Sequence, residues 1–207
     1  DAALVVEAIV ENLQAKQTLF SDLELLVSAD CIFGSNTSSI SITAIGSALK
    51  HPQRLAGLHF FNPAPVMALV EVVAGLATAP QVVDTLHATA TAWGKTAVHA
   101  KSTPGFIVNR VARPYYAEAL RLRTESAADC ATLDAVMRES GGFRMGPFEL
   151  MDMIGLDVNF AVTRSVWNAY FNDPRYLPSL IQQELVDAGY LGKKSGRDYY
   201  DYRDGAD

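Results

Sequence analysis

The stretch Gly57–Val73, "GLHFFNPAPVMALVEVV", decides the reading of this 207-residue chain. Two β-like runs, "RLAGLHFF" and "MALVEVV", flank the turn-forming "FNPAP". A hairpin centred on Pro65 pairs residues equidistant from it, which places His59 opposite Glu71. Directly opposed residues share a face and have Cβ atoms about 4.5–5.5 Å apart. An imidazole backed by a carboxylate is prepared to accept a proton, because the carboxylate fixes the tautomer and stabilises the imidazolium. The same spacing also suits a purely structural polar pair closing the hairpin. A one-residue slip in register would send the two side chains to opposite faces.

Outward from the hairpin, the first hundred residues alternate strand and helix patterns. Strands are expected at 4–10, in "CIFGSNTS" (31–38) and at 96–100. Helices are expected at 12–29, at 42–49 with Ser41 as N-cap, and at 80–94 with Pro80 in the first turn and Gly94 beyond the end. This alternation predicts an α/β layer with a mostly parallel sheet. After "KSTPG" (101–105) only helical periodicity remains, in "FIVNRVARPYYAEALRLR", "ATLDAVMRES", "PFELMDMIG", "DVNFAVTRSVWNAYF" and "LPSLIQQELVDAG". Pro147 opens one of these helices and Asp157 is expected to cap another. The chain therefore reads as α/β over 1–101 and all-α over 102–207.

Composition sets further bounds. The chain is 49% hydrophobic and 19% charged, which fits a globular protein. Its net charge of −6 argues against indiscriminate nucleic-acid binding. No apolar run approaches the roughly 20 residues that a membrane-spanning helix needs. Cys31 and Cys130 are expected to be reduced thiols in a cytoplasmic protein. The sequence starts inside a strand pattern without Met, so it is expected to be part of a longer protein, with strand 4–10 as an edge open to association.

Two other stretches bear on function. "SNTSSI" (35–40) follows a strand and precedes a helix, and ligands of open α/β sheets sit at that strand end. Asn36 and Ser38 could bond a ligand there, or the segment could simply cap the helix. In "TPGFIVNRVARP" (103–114), Pro114 removes the helical partner of the Arg110 carbonyl, which predicts a kink beside Asn109. A kinked packing helix with a polar face reads equally well.

Together these segments resemble the L-3-hydroxyacyl-CoA dehydrogenase family. The resemblance rests on "EAIVENLQAK" (7–16), "SNTSSI" (35–40), "GLHFFNPAPVM" (57–67), "LVEVV" (69–73), "TPGFIVNR" (103–110), "MGPFEL" (145–150) and "LGKKSG" (191–196), in the family's order. "RPYYAEALR", "DVNFAVTRSV" and "LPSLIQQELV" look most like phenylacetate-degradation members acting on 3-hydroxyadipyl-CoA or 3-hydroxybutyryl-CoA. The resemblance implies the C-terminal half of a Rossmann-like NAD-binding domain followed by a helical dimerisation domain. It implies an NAD-linked oxidation of a 3-hydroxyacyl-CoA and a homodimer formed through the helical domain, with no metal, membrane or nucleic-acid partner. His59 then matches the catalytic base and Glu71 its partner. Ser38, Asn62 and Asn109 match substrate-side residues, and Glu11, Lys16, Ser38 and Lys194 match cofactor contacts. The family's G-x-G-x-x-G turn is not found in these 207 residues, and Asp198 stands where many relatives have glycine. The rival expectation for this chain by itself is a non-catalytic helical interaction module.

Overall fold

The computed structural model describes residues 2–203. It divides into two units, with the boundary between Ile107 and Val108. The first unit extends past the end of the last strand because Phe106 is buried in the α/β core.

In the first unit, β1 (Leu4–Glu7), β2 (Ile32–Ser35), β3 (Leu55–Phe60), β4 (Leu69–Ala74) and β5 (Thr96–Lys101) form one sheet in the order β1-β2-β3-β4-β5. Three pairings are parallel, and β3–β4 is the one antiparallel pair. The helices are α1 (Leu13–Glu24), α2 (Ile42–Gly46) and α3 (Pro80–Ala92). Alternation along the strands divides the core between the two sheet faces. Phe33, Leu55 and Val73 pack with Phe20 of α1 and Ile42 and Ile45 of α2. Leu58, Val70 and Val72 pack with Val82, Leu86 and Ala90 of α3. The hairpin closes tightly at Gly57, where a Cβ would stand 2.8 Å from that of Val73.

Several element ends differ from expectation. β1 stops at Glu7, whose carboxylate turns inward to Lys16, and Ile9 and Val10 are exposed. Asn12 caps α1 through Ala15 N–H. That helix ends at Glu24, and Leu26 falls in an exposed turn despite matching the helical period. Ser41 does cap α2, accepting from Ala44 N–H at 3.2 Å.

The second unit contains α4 (Val108–Thr124), α5 (Cys130–Glu139), α6 (Pro147–Ile154), α7 (Leu156–Ala169) and α8 (Leu180–Asp187). Tyr116, Leu120, Phe148, Met151 and Leu156 form its core. Helix α4 runs through Pro114. Asp157 lies in the first turn of α7 rather than at its cap, because Gly155, at φ 96°, makes the reversal between α6 and α7. Buried Asp134 accepts the Phe148 and Glu149 N–H groups at the start of α6 and the Tyr200 hydroxyl. No helix among the described residues is long and apolar enough to cross a membrane. Both cysteines are free thiols.

A second buried carboxyl group has chemical consequences. Asp152 Oδ2 accepts from the Tyr202 hydroxyl and the Tyr200 N–H, but Asp152 Oδ1 and both Asp198 oxygens are buried without a conventional donor. Asp198 and Asp152 lie close enough to act on each other's ionisation, and a proton held between them would satisfy both. Burial, reinforced by the Asp152 charge, pushes the Asp198 carboxyl up to about 8. The folded chain thus holds this proton more tightly than the unfolded chain. The stability Asp198 contributes is full below an ordinary carboxyl pKa of about 4, and it is lost as the pH rises through about 8. Asp198→Asn supplies a donor that does not titrate. With solvent screening of the half-buried group, it is expected to gain about 1–3 kcal/mol at alkaline pH and to flatten the pH dependence. Thermal unfolding of both proteins between about pH 5 and 9 reads this directly; parallel curves would refute it.

Candidate active site

The β3–β4 register places His59 opposite Glu71. Both side chains are buried, Glu71 completely. His59 Nδ1 lies 2.7 Å from Glu71 Oε2. A carboxylate can only accept there, so Nδ1 carries the proton and Nε2 presents its lone pair. The other carboxylate oxygen, Oε1, accepts the Ile107 N–H at 2.9 Å. Phe61 and Phe106 flank the imidazole, with ring centroids 4.6 and 5.7 Å away. Apolar walls exclude water and strengthen the ion–dipole interactions inside them. The arrangement is a histidine with a carboxylate that orients it, held on two strands rather than on a loop.

The segment after β2 adjoins this strand end. Asn36 Oδ1 accepts the Phe60 N–H at 2.8 Å, taking the place of a rung where β2 and β3 part. Glu11 organises the rest of the loop. Its Oε1 accepts from Thr37 Oγ1, the Ser38 and Ser39 N–H groups and Ser39 Oγ, over 2.7–3.1 Å. Burial opposes ionisation of Glu11, but these donors and Lys16 outweigh it and hold its carboxyl below the ordinary range. Ser38 is half-buried, and among the described residues its hydroxyl makes no hydrogen bond.

Lys16 occupies a less accessible position than its sequence motif suggests. It is 1% exposed, with Nζ 2.9 and 2.8 Å from the two Glu7 oxygens and 3.5 Å from Glu11 Oε2. Ser35 Oγ completes the cluster by donating to Glu7. Asn62 is exposed just beyond β3. The remaining two candidates belong to the second unit. Asn109 stands in the first turn of α4, where its carbonyl accepts from Arg113 Nε at 3.1 Å. Lys194 pairs with Asp157 beside Gly155. The first unit thus joins His59 to Glu71, and Glu11 to Ser38 and Lys16. Sequence reasoning did not reach the Ile107 N–H or Phe106. Their one signal is the Pro104-Gly105 turn, which re-aims the chain after β5.

Comparison with known proteins gives a consistent result. The family model for the 3-hydroxyacyl-CoA dehydrogenase NAD binding domain matches residues 1–103, and that for the C-terminal domain matches 105–202. The chain is 58% identical to 3-hydroxyadipyl-CoA dehydrogenase of Escherichia coli K12, over 98% of this chain and 42% of that protein. It is 42% identical to a probable 3-hydroxybutyryl-CoA dehydrogenase of Bacillus subtilis, over 98% of this chain and 70% of that protein. Among solved structures, 3-hydroxybutyryl-CoA dehydrogenase of E. coli K12 superposes with a TM-score of 0.97 at 57% identity, covering all of this chain and 44% of that one. The (S)-3-hydroxybutyryl-CoA dehydrogenase of Ralstonia eutropha gives 0.93 at 39% identity, over 97% and 71%. The chain spans less than half of its E. coli relative and 64% of the human mitochondrial one. With both of the family's domains matched, and with strong identity across most of a relative's length, this chain belongs to the 3-hydroxyacyl-CoA dehydrogenase family.

Proposed function

We propose that the chain carries the proton-transfer machinery of an NAD-dependent oxidation of L-3-hydroxyacyl-CoA to 3-oxoacyl-CoA. The observation that carries this reading is the buried His59–Glu71 pair, with Nδ1 committed to the carboxylate at 2.7 Å. His59 Nε2 accepts the proton of the 3-hydroxyl. Glu71 stabilises the resulting imidazolium, and the Ile107 N–H holds Glu71 in place. Positioned general-base catalysis of this kind supplies about 10²–10⁴-fold.

When bound, the nicotinamide supplies the hydride acceptor. The first unit fits that end of the cofactor: Ser38 offers an uncommitted hydroxyl on a loop that Glu11 holds rigid. Ser38 and Glu11 would hold the nicotinamide end, and Ser38 and Asn62 the substrate near its reacting carbon; Asn109, in the second unit, is assigned a substrate-side role of its own. Lys16 acts from beneath, by fixing Glu7 and Glu11. Lys194 is assigned to the cofactor side with Asp157 as its resting partner. The substrates favoured are 3-hydroxyadipyl-CoA and 3-hydroxybutyryl-CoA, the acyl groups in the relatives' names. Homodimerisation through the helical unit completes the reading.

The test is NADH formation, by a protein that carries this chain together with a G-x-G-x-x-G nucleotide-binding turn, from the L and D isomers of 3-hydroxybutyryl-CoA and from 3-hydroxyadipyl-CoA, with light scattering on the same sample. Turnover of the L isomers alone, by a dimer, is the expected result. A dimer that binds neither NADH nor acyl-CoA would instead support the non-catalytic module.

A further inference from the structure

The turn that brings Ile107 to Glu71 is built in an unusual way. Phe106 N–H donates to the Thr103 carbonyl at 2.9 Å, with Pro104 and Gly105 at the centre. Gly105 has φ 74°, as the third position of a type II turn requires. Phe106 follows at φ 46°, also left-handed, where a bulky side chain is an outlier. Such a conformation persists only when its surroundings impose it. Here they do. Phe106 is 3% exposed in the core with Phe33, Ile42 and Val73. Just upstream, Ser102 N–H bonds the Ala74 carbonyl at 3.1 Å, and Ser102 Oγ accepts the Ile42 N–H at 3.0 Å.

Glycine would hold this backbone without strain, but it has no ring to set against His59. A residue in the extended region would turn the Ile107 N–H elsewhere. Phenylalanine at a left-handed position supplies both contacts: the edge-on ring 5.7 Å from His59, and the Ile107 N–H 2.9 Å from Glu71 Oε1. We infer that Phe106 is a positioning residue for the His59–Glu71 pair, its backbone aiming the Ile107 amide at Glu71 and its ring closing one side of His59. This inference rests on the role proposed above for that pair.

Two substitutions separate positioning from packing. Phe106→Val fills more of the core than Phe106→Gly, so packing alone ranks valine as the milder change. Positioning ranks them the other way, because valine resists the left-handed backbone and glycine adopts it freely. The readouts are amide hydrogen exchange at Ile107 and the ¹⁵N spectrum of His59, which reports the Nδ1–H tautomer, with the Phe60 amide as a folding control. Ile107 is expected to exchange about tenfold faster in Phe106→Val than in Phe106→Gly. Mixed His59 tautomers are expected in the valine variant alone. Should the glycine variant not fold, Gly105→Ala strains the same turn and is expected to raise Ile107 exchange and mix the tautomers. Valine matching or outperforming glycine would overturn the inference, as would an unchanged His59 spectrum in Gly105→Ala. Both readouts need no substrate. Failure of the proposed function would show instead as undiminished turnover in His59→Ala.

Discussion

His59→Ala is expected to lower turnover of L-3-hydroxybutyryl-CoA by about 10²–10⁴-fold, with a smaller effect on KM. In its proposed role the base acts on a proton that moves only in the transition state, so its loss falls on kcat. Glu71→Gln is the more incisive variant. The amide oxygen can still accept the Ile107 N–H, so the hairpin keeps that contact. The amide NH₂ then faces His59 Nδ1 and forces it to accept. The ring proton moves to Nε2, and the base points a donor where it needs a lone pair. A loss of the same order as His59→Ala is therefore expected at neutral pH, with the fold intact. Steady-state rates of NADH formation across pH check both. Glu71→Gln at near-normal rate would reduce the pair to a structural contact, the other meaning its spacing allowed.

That pair was legible because hairpin geometry leaves little freedom. Once "FNPAP" is a turn, the register follows, and the pairing of His59 with Glu71 is the register the structure has. The alternation of strands and helices was legible for the same reason, since period and punctuation are local properties. Helix ends were less so. Leu26 continues the apolar period of α1 but lies exposed in a turn, so burial, not periodicity, ends that helix. Asp157 resembles an N-cap in sequence, but its carboxylate is taken by Lys194 and Gly155 makes the turn. The Ile107 donor was invisible because backbone amides carry no residue signature. A left-handed phenylalanine is not a conformation that composition suggests.

Lys16 shows how a motif match and a physical environment can assign different work to one side chain. Its ammonium is enclosed by Glu7, Glu11 and the Ile9 carbonyl, at the point where β1, α1 and the loop after β2 meet. Lys16→Met is expected to destabilise the fold by about 3–5 kcal/mol, because Glu7 is left buried and charged without its partner. Urea denaturation measures this as a fall in midpoint at unchanged slope. The double variant Glu7→Leu with Lys16→Met removes both charges and is expected to recover most of the loss. A residue that served only the cofactor would give a different pattern: unchanged stability, with weaker NADH binding alone. If Lys16→Met both destabilises the chain and loosens the Glu11 loop, seen as faster amide exchange at Ser38 and Ser39, then the ion cluster is the frame on which the loop after β2 is held. Its contribution to cofactor affinity would then come through the placement of Ser38 rather than through direct contact.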